Sequence, residues 1–171
     1  MVNKLLLSAF VLLLALSLRS QNKMPQLELN NPVNTVLSLN GTDIIVFAKK
    51  YLGTPYSYAS TDPLKGFDCS GFVSFVFKNF NINLPRSSRG YESIGYTLKP
   101  EEFKVGDVLV FYGYNDFTNI GHVGIICEAN GLKSKFIHST SGKAMGVTIS
   151  ELGSDMYTRR FYKCINVTSL K

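Results

Sequence analysis

Asp68-Cys69-Ser70-Gly71 sets a thiol where the polar loop ending at Asp68 gives way to the apolar run Gly71-Phe72-Val73, and the chain's two histidines, His122 and His138, both lie downstream. A cysteine in the first turn of a helix faces unpaired backbone N–H groups and the positive end of the helix dipole, which favour thiolate. A nearby imidazole would stabilise that thiolate and later return the proton to an amine leaving group. His122 opens the strand-like run His122-Val123-Gly124-Ile125-Ile126, and His138 closes Phe136-Ile137-His138. Equivalent positions on neighbouring strands would aim His122 at the helix tip as base and acid, with His138 holding it by a hydrogen bond. An ordinary core or surface role is the better reading for a lone histidine; the combination with Cys69 favours catalysis. The backbone N–H of Cys69 itself is a ready oxyanion donor.

Positioning these groups falls to the flanking segments. Thr42 can cap a helix in which Ile44, Ile45, Ala48, Tyr51 and Leu52 recur at helical spacing, with Gly53 as its stop. Residues 53–66 carry two prolines and Tyr56-Ser57-Tyr58, and read as a loop into the cysteine motif. The cysteine helix is expected from about Ser70 to about Phe80, with Phe72, Val73, Val76, Phe77 and Phe80 on an apolar face that Phe75 widens. Leu84-Pro85-Arg86-Ser87-Ser88 then breaks the chain and offers Ser87 as cap of a short helix to about Ile94. After Pro100, residues 107–112, 122–128, 135–139, 146–150 and about 159–167 read as short strands. Helices first and strands after predict an α+β domain, its cysteine helix packed on an antiparallel sheet.

At 171 residues and 45% hydrophobic, the chain suits one domain with a sizeable core, and no fixed-period repeat supports a solenoid or coiled coil. Lys4 precedes an apolar run from Leu5 to Leu18, too short to span a bilayer comfortably but suited to an export signal over residues 1–20, cleaved near Ser17 to Ser20. An uncleaved anchor is the alternative. Residues 21–40 read as a tether and 41–171 as the catalytic domain. Loss of Lys4 and Arg19 with the signal lowers the formal net charge from +6 to +4. Basic residues stand singly or in pairs such as Lys49-Lys50 and Arg159-Arg160, a solvated surface rather than a nucleic-acid footprint. No cysteine precedes position 69, so a lipid-modified N-terminal cysteine is not expected. Cys127 and Cys164 sit in apolar strand-like runs as small core residues, and a disulfide between them is open if their strands are neighbours. No paired cysteine spacing suggests a metal, and no cofactor is expected.

Six strings taken in order carry a resemblance: Gly53-Thr54-Pro55-Tyr56, Phe67-Asp68-Cys69-Ser70-Gly71-Phe72-Val73, Leu84-Pro85-Arg86-Ser87-Ser88, Val105-Gly106-Asp107-Val108-Leu109-Val110-Phe111, Gly121-His122-Val123-Gly124-Ile125 and Phe136-Ile137-His138-Ser139. They resemble the NlpC/P60 cysteine peptidases that cut cell-wall peptides, over about residues 42–165. The resemblance implies a papain-like α+β NlpC/P60 fold, with N-terminal helices and the catalytic-cysteine helix packed on an antiparallel sheet of about five or six strands. It implies Cys69 as nucleophile, His122 as general base and acid, and His138 as orienting group. Tyr56 would stand beside the thiol to assist the oxyanion or orient substrate, and Tyr58 would wall the pocket. Asp68, Ser70 and Ser88 would hold the peptide stem, Asp68 through a free amino group and the two hydroxyls through backbone hydrogen bonds. Structural roles stand beside these: Ser70 as helix cap, Arg86 as loop anchor, Asp107 as turn former.

The implied reaction is hydrolysis of an amide in peptidoglycan stem peptides, first the γ-D-glutamyl to diamino acid bond and next the D-alanyl to diamino acid cross-link. Peptidoglycan peptides are the expected partner, with no nucleic acid, no stable membrane insertion after signal cleavage and a monomeric state. The expected location is the periplasm or the cell exterior at the wall. An amidase or acyltransferase on another amide, or a non-catalytic wall-binding module, are the alternatives. The chain departs from the family at Tyr58-Ala59-Ser60, where members carry an aromatic followed by two glycines, and this bears on substrate fit.

Overall fold

Asn40 accepts a hydrogen bond from the Thr42 amide at 3.1 Å and so caps helix α1, Gly41–Lys49. The cap falls two residues before the expected Thr42, because asparagine fills that position equally well. The structure, a computed structural model, describes residues 40–168 and 170; the export segment and all of the tether except Asn40 lie outside the described residues. Ile44, Ile45 and Ala48 of α1 are buried, whereas Leu52 is exposed beyond the helix end, before Gly53 turns at φ 81°.

A small hairpin, β1 (Thr61–Asp62) and β2 (Gly66–Phe67), interrupts the expected loop and delivers the chain into helix α2, Cys69–Lys78. Asp68 is the N-cap of α2, accepting from the Gly71 amide at 2.6 Å. Ser70 therefore lies inside the helix and is neither its start nor its cap. Phe72, Val73, Val76 and Phe77 are fully buried, each contributing roughly 1.5–3 kcal/mol relative to exposure. Phe75 meets Phe47 and Tyr51 at centroid distances of 6.0 and 5.0 Å, which locks α2 against α1. The short helix expected after Ser87 is a single 3-10 turn, Ser88–Tyr91, and Ser87 makes no side-chain cap bond.

Five strands, β3 (Val108–Tyr112), β4 (Ile120–Glu128), β5 (Lys135–Thr140), β6 (Gly146–Glu151) and β7 (Phe161–Ile165), form an antiparallel sheet in the order β6-β5-β4-β3-β7. Alternation along the strands builds two cores. Val108, Val110, Val123, Ile125 and Ile137 pack with α1 and α2, while Leu109, Phe111, Ile126 and Phe136 pack on the other face with Leu152 and Tyr157. Cys127 joins the first core and Cys164 the second, β3 lies between their strands, and both thiols are free, so the disulfide left open above is not formed.

Helix α3, Asp155–Arg160, precedes β7 where the sequence reading started a strand at about residue 159. Its six residues are too few to display a helical period. Residues 53–56 line the free edge of β6 through Gly53 N to Val147 O, Val147 N to Thr54 O and Tyr56 N to Met145 O, all at 2.9 Å. The Phe67 amide meets Pro55 O at 3.0 Å on the opposite side, which fixes Tyr56 between the sheet and the cysteine motif.

Candidate active site

Cys69 reaches the site because the Asp68 cap and the Ser139 hydroxyl fix the chain on either side of it. Ser139 Oγ, buried on β5, donates to Phe67 O at 2.6 Å, tying β2 to the sheet immediately before the cysteine. Gly71 has no room for a side chain: a Cβ there would lie 2.1 Å from Ser60 O and 2.8 Å from the capping carboxylate. The thiol donates to Gly121 O at 3.9 Å. That carbonyl is available because the β4–β5 pairing runs only from Ile125 to Glu128, leaving the backbone of residues 121–123 facing the helix tip.

The thiol is not acidified as the helix start alone would suggest. Burial pushes it above the ordinary cysteine value and the adjacent Asp68 carboxylate adds to this, against the amides of Ser70, Val123 and Cys69, which favour thiolate. At neutral pH the resting group is a thiol, which suits its contact with a carbonyl oxygen.

His122 and His138 alternate onto the sheet face opposite α2. His122 packs against Phe111 at 5.9 Å between centroids, and His138 against Phe136 at 4.6 Å and Tyr157 at 5.5 Å. The imidazoles meet at 2.9 Å, Nε2 of His122 to Nδ1 of His138, and Nε2 of His138 meets Ser150 Oγ at 2.9 Å with Tyr157 Oη at 3.4 Å. If each ring carries its hydrogen on Nε2, His122 donates to His138, His138 donates to Ser150, and Nδ1 of His122 keeps a lone pair for a proton. Burial, then the other imidazole, then Arg160 hold His122 well below the usual histidine value. Burial, then Arg160, bring His138 down to about 3. A neutral imidazole and a neutral thiol thus line one cavity, a state that a single proton transfer converts to an imidazolium–thiolate pair.

Gly124 makes this packing feasible. It lies across from His138, and a Cβ on it would stand 2.5 Å from the Phe136 ring and 3.1 Å from His138 Cβ.

Cys69 and His122 line one cavity of about 940 Å³, together with Tyr56, Ser141, Ser150, Tyr157 and Arg160. Tyr56 stands where the sequence reading put it, and burial followed by the Cys69 and Asp68 charges raises its phenol. Tyr58 does not: it is 86% exposed and lies outside the cavity lining, because Ala59 turns the chain away at φ 58°. Ser60, the other departing position, bonds the Asp62 and Asp68 amides and stays out of the cavity. Asp68 and Ser70 are buried beneath Arg86, whose guanidinium bonds both Asp68 oxygens at 2.9 and 2.8 Å and Ser70 Oγ at 3.3 Å. Ser88 begins the 3-10 turn outside the cavity lining, and Asp107 serves structure, accepting from the Lys104 amide and the Asn166 side chain at 2.7 Å each.

Ser150, Tyr157 and Arg160 were not singled out from the sequence. Tyr157 and Arg160 come from α3, and Arg160, read as half of a solvated basic pair, is 8% exposed.

The NlpC/P60 family pattern matches residues 53–166. A gamma-DL-glutamyl hydrolase of Bacillus subtilis (strain 168) is 36% identical over 115 residues, covering 67% of this chain and 26% of that protein. A probable endopeptidase NlpC of Escherichia coli (strain K12) is 31% identical over 140 residues, covering 81% of this chain and 82% of that one. The crystal structure of the NlpC/p60 domain of the peptidoglycan hydrolase SagA superposes with a TM-score of 0.59 at 28% identity, covering 75% of this chain and 99% of that domain. The chain spans about a quarter of the length of the first of these relatives. With this match running through the cysteine motif and both histidine strands, the chain belongs to the NlpC/P60 family.

Proposed function

We propose that the chain is a cysteine peptidase of peptidoglycan stem peptides, with Cys69 as nucleophile, His122 as base and acid, and His138 as the group that orients His122. The observation that carries this reading is the 2.9 Å contact of the His138 imidazole with that of His122, which lines the same cavity as Cys69. Substrate entry brings a carbonyl carbon to Sγ as the thiol proton moves to Nδ1 of His122. The S–C bond forms, and the carbonyl electrons pass to an oxyanion held by the Cys69 amide and aided by Tyr56. Collapse breaks the C–N bond, and His122 delivers its proton to the departing amine. Water, deprotonated by the same imidazole, then cleaves the thioester and frees the acid.

The bond favoured is γ-D-glutamyl to diamino acid, in line with the gamma-DL-glutamyl hydrolase relative, and the D-alanyl cross-link is the second choice. Asp68, Ser70 and Ser88, which lie outside the cavity lining, are proposed to hold the stem where it runs beyond that cavity, with Arg86 keeping Asp68 in place. The protein acts after export to the periplasm or wall, residues 1–20 serving as signal and 21–40 as tether to a monomeric domain. Digestion of purified muropeptides followed by mass detection tests the reading. New fragments from wild type and none from Cys69→Ala support it; no fragments from either leave the wall-binding alternative. Fragment masses name the bond.

A further inference from the structure

Arg160 is a buried cation with no anion to meet among the described residues. It is 8% exposed, and no carboxylate of the described residues stands within ion-pair distance of it. Nε and one terminal nitrogen donate to Tyr112 O at 3.0 and 2.9 Å, and the guanidinium carbon lies 5.7 Å from the Tyr114 ring and 6.0 Å from the Tyr157 ring. The carbonyl and the two aromatic faces offset part of the desolvation, but a guanidinium taken from water normally has a counter-charge. The second terminal nitrogen makes no hydrogen bond to the described residues, and the side chain lines the cavity of Cys69 and His122. The charged side chains lining that cavity are Lys143 and Arg160, both cations. Tyr112 pairs with Ile120, two residues before His122, so the anchored fork sits beside the proton-transfer group.

We propose that Arg160 is the residue that binds a carboxylate of the substrate peptide. This inference rests on the peptidase reading and adds to it a requirement that the substrate be acidic near the scissile amide. Arginine suits the task because it keeps two N–H groups on Tyr112 O and still presents others to an anion in fixed geometry, which lysine does not. Two carboxylates have this chemistry in the favoured substrate: that of the D-glutamyl residue and, where the diamino acid is dicarboxylic or ends the peptide, that of the diamino acid.

Three muropeptides of one sequence separate these sources: both carboxylates free, the D-glutamyl carboxylate amidated, or the diamino acid carboxylate amidated. Wild type should lose about tenfold or more in kcat/KM on the peptide whose Arg160 partner is amidated, mostly through KM. Arg160→Gln should slow the free peptide toward that level and lose the discrimination, and Arg160→Lys should restore part of it. Equal slowing of all three peptides by Arg160→Gln would overturn the proposal. So would a wild type that does not discriminate. Because Arg160 also anchors β3, binding of the three intact peptides to Cys69→Ala protein is read by calorimetry as well. No preference among them there overturns the carboxylate site whatever the cleavage result, whereas a preference without wild-type cleavage leaves the site standing and refutes the peptidase reading alone.

Discussion

Asp68 and Arg86 form a two-point ion pair, Nη1 to Oδ1 at 2.9 Å and Nη2 to Oδ2 at 2.8 Å, directly beside the cysteine that Asp68 introduces into its helix. One carboxylate thus caps α2, holds Arg86 and opposes ionisation of the neighbouring thiol. Asp68→Asn keeps a capping oxygen, removes the negative charge and leaves the Arg86 charge uncompensated. Both electrostatic changes favour thiolate, so the pH inflection of Cys69 alkylation by iodoacetamide should move down. An inflection that stays or rises would mean that Asp68 does not govern the thiol.

The two buried histidines make stability depend on pH with a definite sign. In the unfolded chain a histidine takes up its proton near pH 6.5, whereas native His138 stays neutral down to about 3 and His122 also titrates well below its usual range. The unfolded state binds more protons through this window, so stability should be complete above about pH 6.5 and fall as pH drops toward 3. The slope approaches about 1.4 kcal/mol per pH unit for each histidine. Denaturant unfolding at pH 7 and pH 5 measures it, and His138→Asn should flatten the difference. A stability that is constant or increases on acidification to pH 5 would contradict buried neutral imidazoles.

Gly124→Ala tests the packing behind His122 and His138. Its methyl group would collide with the Phe136 ring and crowd His138, so overpacking should cost about 1–3 kcal/mol. The shifted His138 should lower kcat more than it raises KM. Wild-type kcat at this position would mean that His138 does not need its present place.

Ala59 holds a left-handed backbone, φ 58°, at a position outside the cavity lining. Ala59→Gly removes a strain of about 1–2 kcal/mol and adds unfolded-chain entropy of about 0.5–1 kcal/mol. The expected outcome is a melting temperature equal to or slightly above wild type with KM unchanged. A large change in KM would place residue 59 in the substrate pocket after all.

Much of the site was legible because its chemistry sits in rare residue types at element boundaries. The chain has two histidines, each near the end of a predicted strand, and one cysteine at a polar-to-apolar seam, so Cys69, His122 and His138 stood out; the structure joins the two imidazoles and sets His122 in the cavity that Cys69 lines. The five strands were legible from runs of β-branched and aromatic residues, and α2 from its wide apolar face. What escaped depends on tertiary contact. The raised thiol reflects burial and then a carboxylate, which together outweigh the amides of the helix start, and Arg160 reads as a surface residue until a six-residue helix turns it inward. Tyr58 was lost as a pocket wall to one positive φ at Ala59, which sequence pattern alone does not announce.

Catalysis by Cys69 passes through a covalent intermediate on its sulfur, which rapid quenching with acid during muropeptide turnover, followed by intact-mass and peptide mass spectrometry, would trap. A transient acyl adduct is expected on the peptide containing Cys69, with the mass of the amino-terminal half of the cleaved substrate, absent in Cys69→Ala. Cleavage by Cys69→Ala at the wild-type rate, with no adduct on Cys69 in wild type, would contradict it.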